Sequence, residues 1–103
     1  MSSLTSPSRP ADPASSFLSE SETVRAIFFV TGHADPGLVP RLVEPFSKLG
    51  LTPSRVHISS EDGDGAEVSA DLRVDNVPPL TAHLIDKALR RIVGVQSVIA
   101  LME

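Results

Sequence analysis

Nine consecutive residues, Ala66 to Val74, alternate without a fault: Ala66, Val68, Ala70, Leu72 and Val74 are apolar, while Glu67, Ser69, Asp71 and Arg73 are polar. Successive side chains on a strand point to opposite faces, so this segment reads as a strand with one face in a core and the other in water. Before it, the polar run Glu61-Asp62-Gly63-Asp64-Gly65 holds two glycines suited to positive φ, a hairpin-turn signal. The run Ser54 to Ser59 puts Val56 and Ile58 on one face, and completes an antiparallel hairpin. A lone hairpin is marginal in water, so other elements must cover its apolar side.

The flanking sequence supplies them. Val24 to Val30 is β-branched and aromatic with apolar residues on both faces, the pattern of a central strand. After a loop, Leu38, Leu42, Phe46 and Leu49 recur at spacings of 4, 4 and 3, one stripe of an amphipathic helix, and Gly50 stands where it would end. Pro40 is harmless only if this helix begins near Gly37 or Leu38, where its missing N–H has no partner anyway. Pro45 is interior, and its ring should clash with the Arg41 carbonyl at a local cost of about 3 kcal/mol that packing must override. Pro78 to Gly94 reads as a second helix, with Leu80, Leu84, Ala88 and Ile92 as its core stripe and Ile85 and Leu89 widening it. Asp86 and Arg90 form an i, i+4 pair on its polar side. Val95 to Met102 gives a last strand.

The order over residues 24 to 101 is β-α-β-β-α-β with one tight hairpin, and the right-handed crossover rule leaves one common solution. It is an α+β fold, the ferredoxin-like βαββαβ sandwich: a four-stranded antiparallel sheet with two helices on one face. In the first strand Ile27 and Phe29 alternate with Ala26 and Phe28, so one pair should face away from the helices. Left uncovered, that side is an apolar patch of the kind that marks an interface. Oligomerisation is thus expected from the fold itself.

Residues 1 to 21 are rich in Ser, Pro and Ala and bury little, so they read as a disordered tail ahead of a domain spanning 22 to 103. Phe17 and Leu18 are the exception, an apolar pair able to dock on the domain or on a partner. A net charge of −4 with scattered basic residues argues against nucleic acid. The absence of cysteine excludes disulfides and thiolate chemistry. No apolar run approaches the roughly 18 residues of a membrane span, and no secretory signal opens the chain, so a cytoplasmic location is expected.

Chemistry is hard to find. Gly32 and Gly37 have the spacing of a phosphate-binding loop, but Leu38 and Val39 stand where Lys and Ser or Thr are needed. His33, His57 and His83 share no metal-ligand spacing. The acidic turn near Glu61 lacks the closing Glu of a calcium loop. Ser59 and Ser60 have no positioned base. No enzyme and no cofactor are expected. There remains the strand-loop-helix corner Asp35-Pro36-Gly37, where Asp35 can cap the helix and backbone N–H groups near Gly37 can receive a carboxylate. The same three residues are equally an ordinary helix-start signal.

The stretch "VTGHADPGLVPRLVEPFSKLGLTPSRVHIS", with Asp35-Pro36-Gly37-Leu38 between strand and helix and Gly50-Leu51-Thr52-Pro53 before the next strand, resembles an ACT domain, a regulatory module that binds amino acids. The run Leu89 to Val95 is similar to the tail of the small regulatory subunit of acetolactate synthase, in its short single-ACT form. The resemblance implies a non-catalytic homodimer, paired through its sheets at Ile27 and Phe29, that modulates the acetolactate synthase catalytic subunit in branched-chain amino-acid biosynthesis. Thiamine diphosphate, flavin and magnesium would belong to that partner. An amino-acid effector would sit between Ala34, Asp35, Pro36, Gly37, Leu38 and Val39 of one copy and Leu51, Thr52 and Pro53 of a neighbour. Two asparagines that the subunit family uses to hold valine fall on Ala34 and Thr52, which puts valine feedback in question. The alternative is a stand-alone amino-acid sensor acting on another enzyme or regulator.

Overall fold

A computed structural model describes residues 22–61 and 66–103; the expected tail and residues 62–65 of the expected turn lie outside them. The elements are β1 (Val24–His33), α1 (Leu38–Lys48), β2 (Arg55–Glu61), β3 (Glu67–Val77), α2 (Pro79–Arg90) and β4 (Val95–Met102). The sheet order is β2-β3-β1-β4 and every neighbouring pair is antiparallel, as the βαββαβ reading requires.

The alternation seen in the sequence decides the faces. Ala26, Phe28 and Val30 of β1, Val68, Ala70, Leu72 and Val74 of β3 and Val98 of β4 are buried beneath the helices. The strict period of β3 then breaks, because Asn76 takes φ 56° and inserts one extra residue. Val24 pairs with Val77 but Ala26 with Val74, a bulge that returns Val77 to the core.

Helix α1 starts at Leu38, as Pro40 demands, and continues through Pro45, whose ring is buried beside Leu42 and Phe46. Its end is a full Schellman motif: Leu51 N–H donates to the Phe46 carbonyl at 2.9 Å and Gly50 N–H to Ser47 at 3.0 Å. Gly50 has φ +72° and an added Cβ would meet no atom within 4 Å. Gly50→Ala should therefore cost only the left-handed strain, about 1–2 kcal/mol, read from the urea midpoint. A much larger loss would show a contact that this geometry lacks.

Two packing expectations need correction. Leu49 lies at the C-cap of α1 and is half exposed, so the stripe ends at Phe46. In α2 the buried residues are Ala82, Ile85 and Leu89, whereas Leu80 and Leu84 are 48% and 47% exposed. The buried Val77 and the extended Pro78 fix how the chain enters α2, and the Pro78 carbonyl accepts the Ala82 N–H at 3.1 Å. That entry turns the face of small Ala82 toward the sheet and the leucine ridge outward. The Asp86–Arg90 pair forms as expected, at 3.0 Å.

Candidate functional site

Two regions carry the candidate residues: the β1–α1 loop and the sheet face away from the helices.

In the loop, His33 N–H donates to the Gly94 carbonyl at 2.9 Å, and Ala34 N–H to Ala66 at 3.2 Å. A Cβ on Gly32 would lie 2.6 Å from that Gly94 oxygen, so this glycine serves a close backbone approach, not a phosphate. Gly37 is the N-cap of α1 and no side chain caps the helix. Asp35, expected as that cap, acts differently. Its Oδ1 accepts the Gly37 N–H at 3.4 Å, its Oδ2 accepts Arg41 Nη2 at 2.6 Å, and its carbonyl accepts the Leu38 N–H at 2.9 Å. Arg41 Nη2 also reaches the Val93 carbonyl at 3.4 Å, so one guanidinium ties this loop to the turn before β4.

The loop thus carries its own anion. The space beside Gly37 is occupied, because Arg41 Nη1 lies 2.7 Å from where a Cβ would stand. Gly37 and Leu38 N–H groups are engaged by Asp35, Pro40 has none, and Val39 is left as the helix-start donor without a partner among the described residues. The side chain of Leu38 is buried in the core and cannot line a site.

The turn Leu51 to Pro53 follows α1, whereas the loop precedes it. Eleven residues of helix separate the two, about 16 Å at 1.5 Å per residue. One chain does not bring these candidate residues together. Leu51 packs on the core, Thr52 is exposed and Pro53 is half-buried.

The Arg41 hydrogen bond, then that of Gly37, holds the Asp35 carboxyl below its ordinary range. A folded-state pKa below the unfolded value of about 3.9 gives stability that is complete above that value and lost as pH falls through the folded one. Asp35→Asn should therefore remove part of the acid dependence of unfolding below about pH 4. Carboxyl NMR titration checks it: an unshifted Asp35 would mean that the pair with Arg41 does not persist in solution.

On the open sheet face, β1 presents Arg25, Ile27, Phe29 and Thr31. The registers align three rows across the four strands: Arg55–Arg73–Ile27–Leu101, His57–Asp71–Phe29–Ile99 and Ser59–Ser69–Thr31–Ser97. The β1–β4 half of the first two rows is apolar, with Phe29 38% and Ile99 59% exposed. The β2–β3 half is charged. Arg73 donates to both oxygens of Asp71, at 2.9 and 3.0 Å, and Arg55 approaches at 3.4 Å. The hydrogen bonds from Arg73, against partial burial, hold the Asp71 carboxyl below its usual range, and Arg55 and His57 add to the lowering. The third row is all hydroxyl, and Thr31 and Ser97 hydrogen bond at 2.5 Å. A depression of about 280 Å³ beside Phe29, His57, Ser59 and Asp71 joins the two halves.

The expected pair, Ile27 and Phe29, does face away from the helices. Ile99 and Leu101 were missed as part of the same patch. The signal was available: with Val98 and Ala100 inward, the alternation of β4 sends both outward. The histidines stay apart, with His57 on the open face, His33 at the end of β1 beside Gln96, and His83 exposed on α2.

No family model matches the sequence, and a search of curated proteins gives no match. Solved structures do match. The ACT domain from GTP pyrophosphokinase of Chlorobium tepidum superposes in its crystal structure with TM-score 0.58 at 18% identity, over 78% of this chain and 100% of that one. The fold is that of an ACT domain. Its solution structure gives TM-score 0.55 at 19% identity, over 77% of this chain and 86% of that one. The C-terminal domain of the MgtC protein from Mycobacterium tuberculosis also superposes on this chain, with TM-score 0.56 at 14% identity over 79% of this chain and 88% of that one. No helix among the described residues is long and apolar enough to cross a membrane.

Proposed function

We propose that the chain is a non-catalytic regulatory module that pairs with a second copy through the open sheet face and modulates a partner enzyme. The observation that carries this reading is the uncovered apolar half formed by Phe29, Ile99 and Leu101 beside the buried Ile27, on an ACT fold. Large apolar side chains in register on an otherwise polar face mark a contact surface. The partner we assign is the catalytic subunit of acetolactate synthase, on the likeness of the loop Asp35 to Leu38 and of the run Leu89 to Val95 to its small subunit.

The effector is a small amino acid. Its carboxylate has to displace that of Asp35 from Arg41 and take the Val39 N–H, with Leu51 to Pro53 of a neighbouring copy closing the site. Coupling follows if the effector favours one dimer geometry, and the enzyme must then alter effector affinity in return. A second reading, a stand-alone sensor for another enzyme, draws on the neighbour in GTP pyrophosphokinase, a different enzyme that carries an ACT domain.

Co-purification of the full chain with the catalytic subunit tests the assignment: a stable complex with altered acetolactate synthase activity is expected. Neither complex nor change in activity would leave the sensor reading. Calorimetric titration with valine, leucine and isoleucine tests the site, and Asp35→Asn should tighten binding because the competing carboxylate is gone. No heat from any amino acid, with either protein, removes the effector from the proposal.

A further inference from the structure

The helix side of the domain also has an uncovered apolar surface. Pro45 and Lys48 of α1, its C-cap Leu49, and Leu84, Ile85 and Ala88 of α2 line a groove of about 290 Å³ between the helices. Leu80, one turn before Leu84, extends its apolar edge. At 100° per residue Leu84, Ala88 and Ile85 span the side of α2 toward this groove, and Lys87 lies on the other side of Leu84. The groove is apolar along its floor, and Lys48, its one lining cation, lies 3.6 Å from Glu44.

Topology places this groove where the chain enters the domain. Helix α1 runs back from the β1–α1 loop toward the start of β1, so Leu49 lies at that end. Helix α2 begins two residues after Val77, the partner of Val24. Ahead of β1 stands the sequence Ser16-Phe17-Leu18-Ser19-Glu20-Ser21-Glu22, an apolar pair followed by two carboxylates. Leu18 stands six positions before Val24, about 20 Å of extended chain, twice the roughly 10 Å spacing of packed layers.

We propose that this N-terminal segment docks in cis, with Phe17 and Leu18 seated against Leu49, Leu80 and Leu84. The match has two parts: the tether is long enough and leaves from the correct end, and its one adjacent pair of large apolar residues meets the apolar floor. A short tether also presents the segment at an effective concentration on the order of millimolar, which a second copy does not reach in dilute solution. Docking covers the helix layer and leaves the open sheet face as the surface for a partner. It is independent of which enzyme that partner is.

Because the chain has no cysteine, Ser15→Cys in the full-length protein takes a single nitroxide label. NMR signals of Leu49, Leu80 and Leu84 should then lose most of their intensity, while those of Ile99 and Leu101 keep theirs. Adding Phe17→Ser and Leu18→Ser should restore the lost signals. Intact leucine signals in the labelled protein would overturn the proposal, as would broadening that survives the two serine substitutions. Broadening seen only between labelled and unlabelled copies in an isotopically mixed sample would assign the groove to a second copy and overturn docking in cis.

Discussion

Phe28→Ala is expected to lower the stability of the domain by about 3–5 kcal/mol. Phe28 is fully buried at the centre of β1, between Leu72 on β3 and Ala100 on β4. Its ring meets that of Phe46 edge-on, with centroids 6.2 Å apart at 64°, so it also joins the sheet to α1. The chain has four phenylalanines and no Trp or Tyr, and the Val, Leu and Ala around Phe28 have no comparable side chain to collapse into the space. A domain of about 80 residues has on the order of 4–12 kcal/mol of total stability, so the variant should be largely unfolded at modest urea. Far-UV circular dichroism reads this without Trp or Tyr. A loss of about 1 kcal/mol or less would contradict the cavity cost and the placement of Phe28 in the core.

Phe29→Asp, one residue along, should leave the fold nearly intact and abolish self-association. Phe29 points to the open face, and its cross-strand neighbours are Asp71 and Ile99. A carboxylate there faces Asp71 across the ladder, a like-charge pair worth about 0.2–1 kcal/mol of destabilisation within the monomer. In a two-fold dimer it appears twice, buried against an apolar patch, and an uncompensated buried charge costs about 3–5 kcal/mol. Self-association should weaken at least about 100-fold, since each 1.4 kcal/mol is tenfold. Sedimentation of both proteins decides it. An unchanged dissociation constant would remove the open face as the dimer surface.

These two neighbours also show how far the sequence could be read. A period of two separates their faces, and the perfect alternation from Ala66 to Val74 orients the strand beside them, so the sheet and its order were legible. The rotation of α2 was not. Its apolar residues cover a wide arc, Leu80 and Leu84 on one side and Ile85 and Leu89 on the other, and periodicity alone does not choose between the two. The choice came from the bulge at Asn76 and the entry through Pro78, both irregularities of the backbone. The loop was legible as a strand-to-helix corner, but its occupant was not. Asp35 and Arg41 are six residues apart, off any helical pairing rule, and the Val93 carbonyl that shares Arg41 is far away in the sequence.

That shared guanidinium makes the corner a clasp between two parts of the chain. One hand holds the loop after β1, and the other holds the turn that launches β4, the strand that carries Ile99 and Leu101 to the open face. Whatever draws Asp35 away releases the loop from the clasp and leaves Arg41 holding only the turn before β4. News from the loop then has a physical road to the face proposed to receive a second copy.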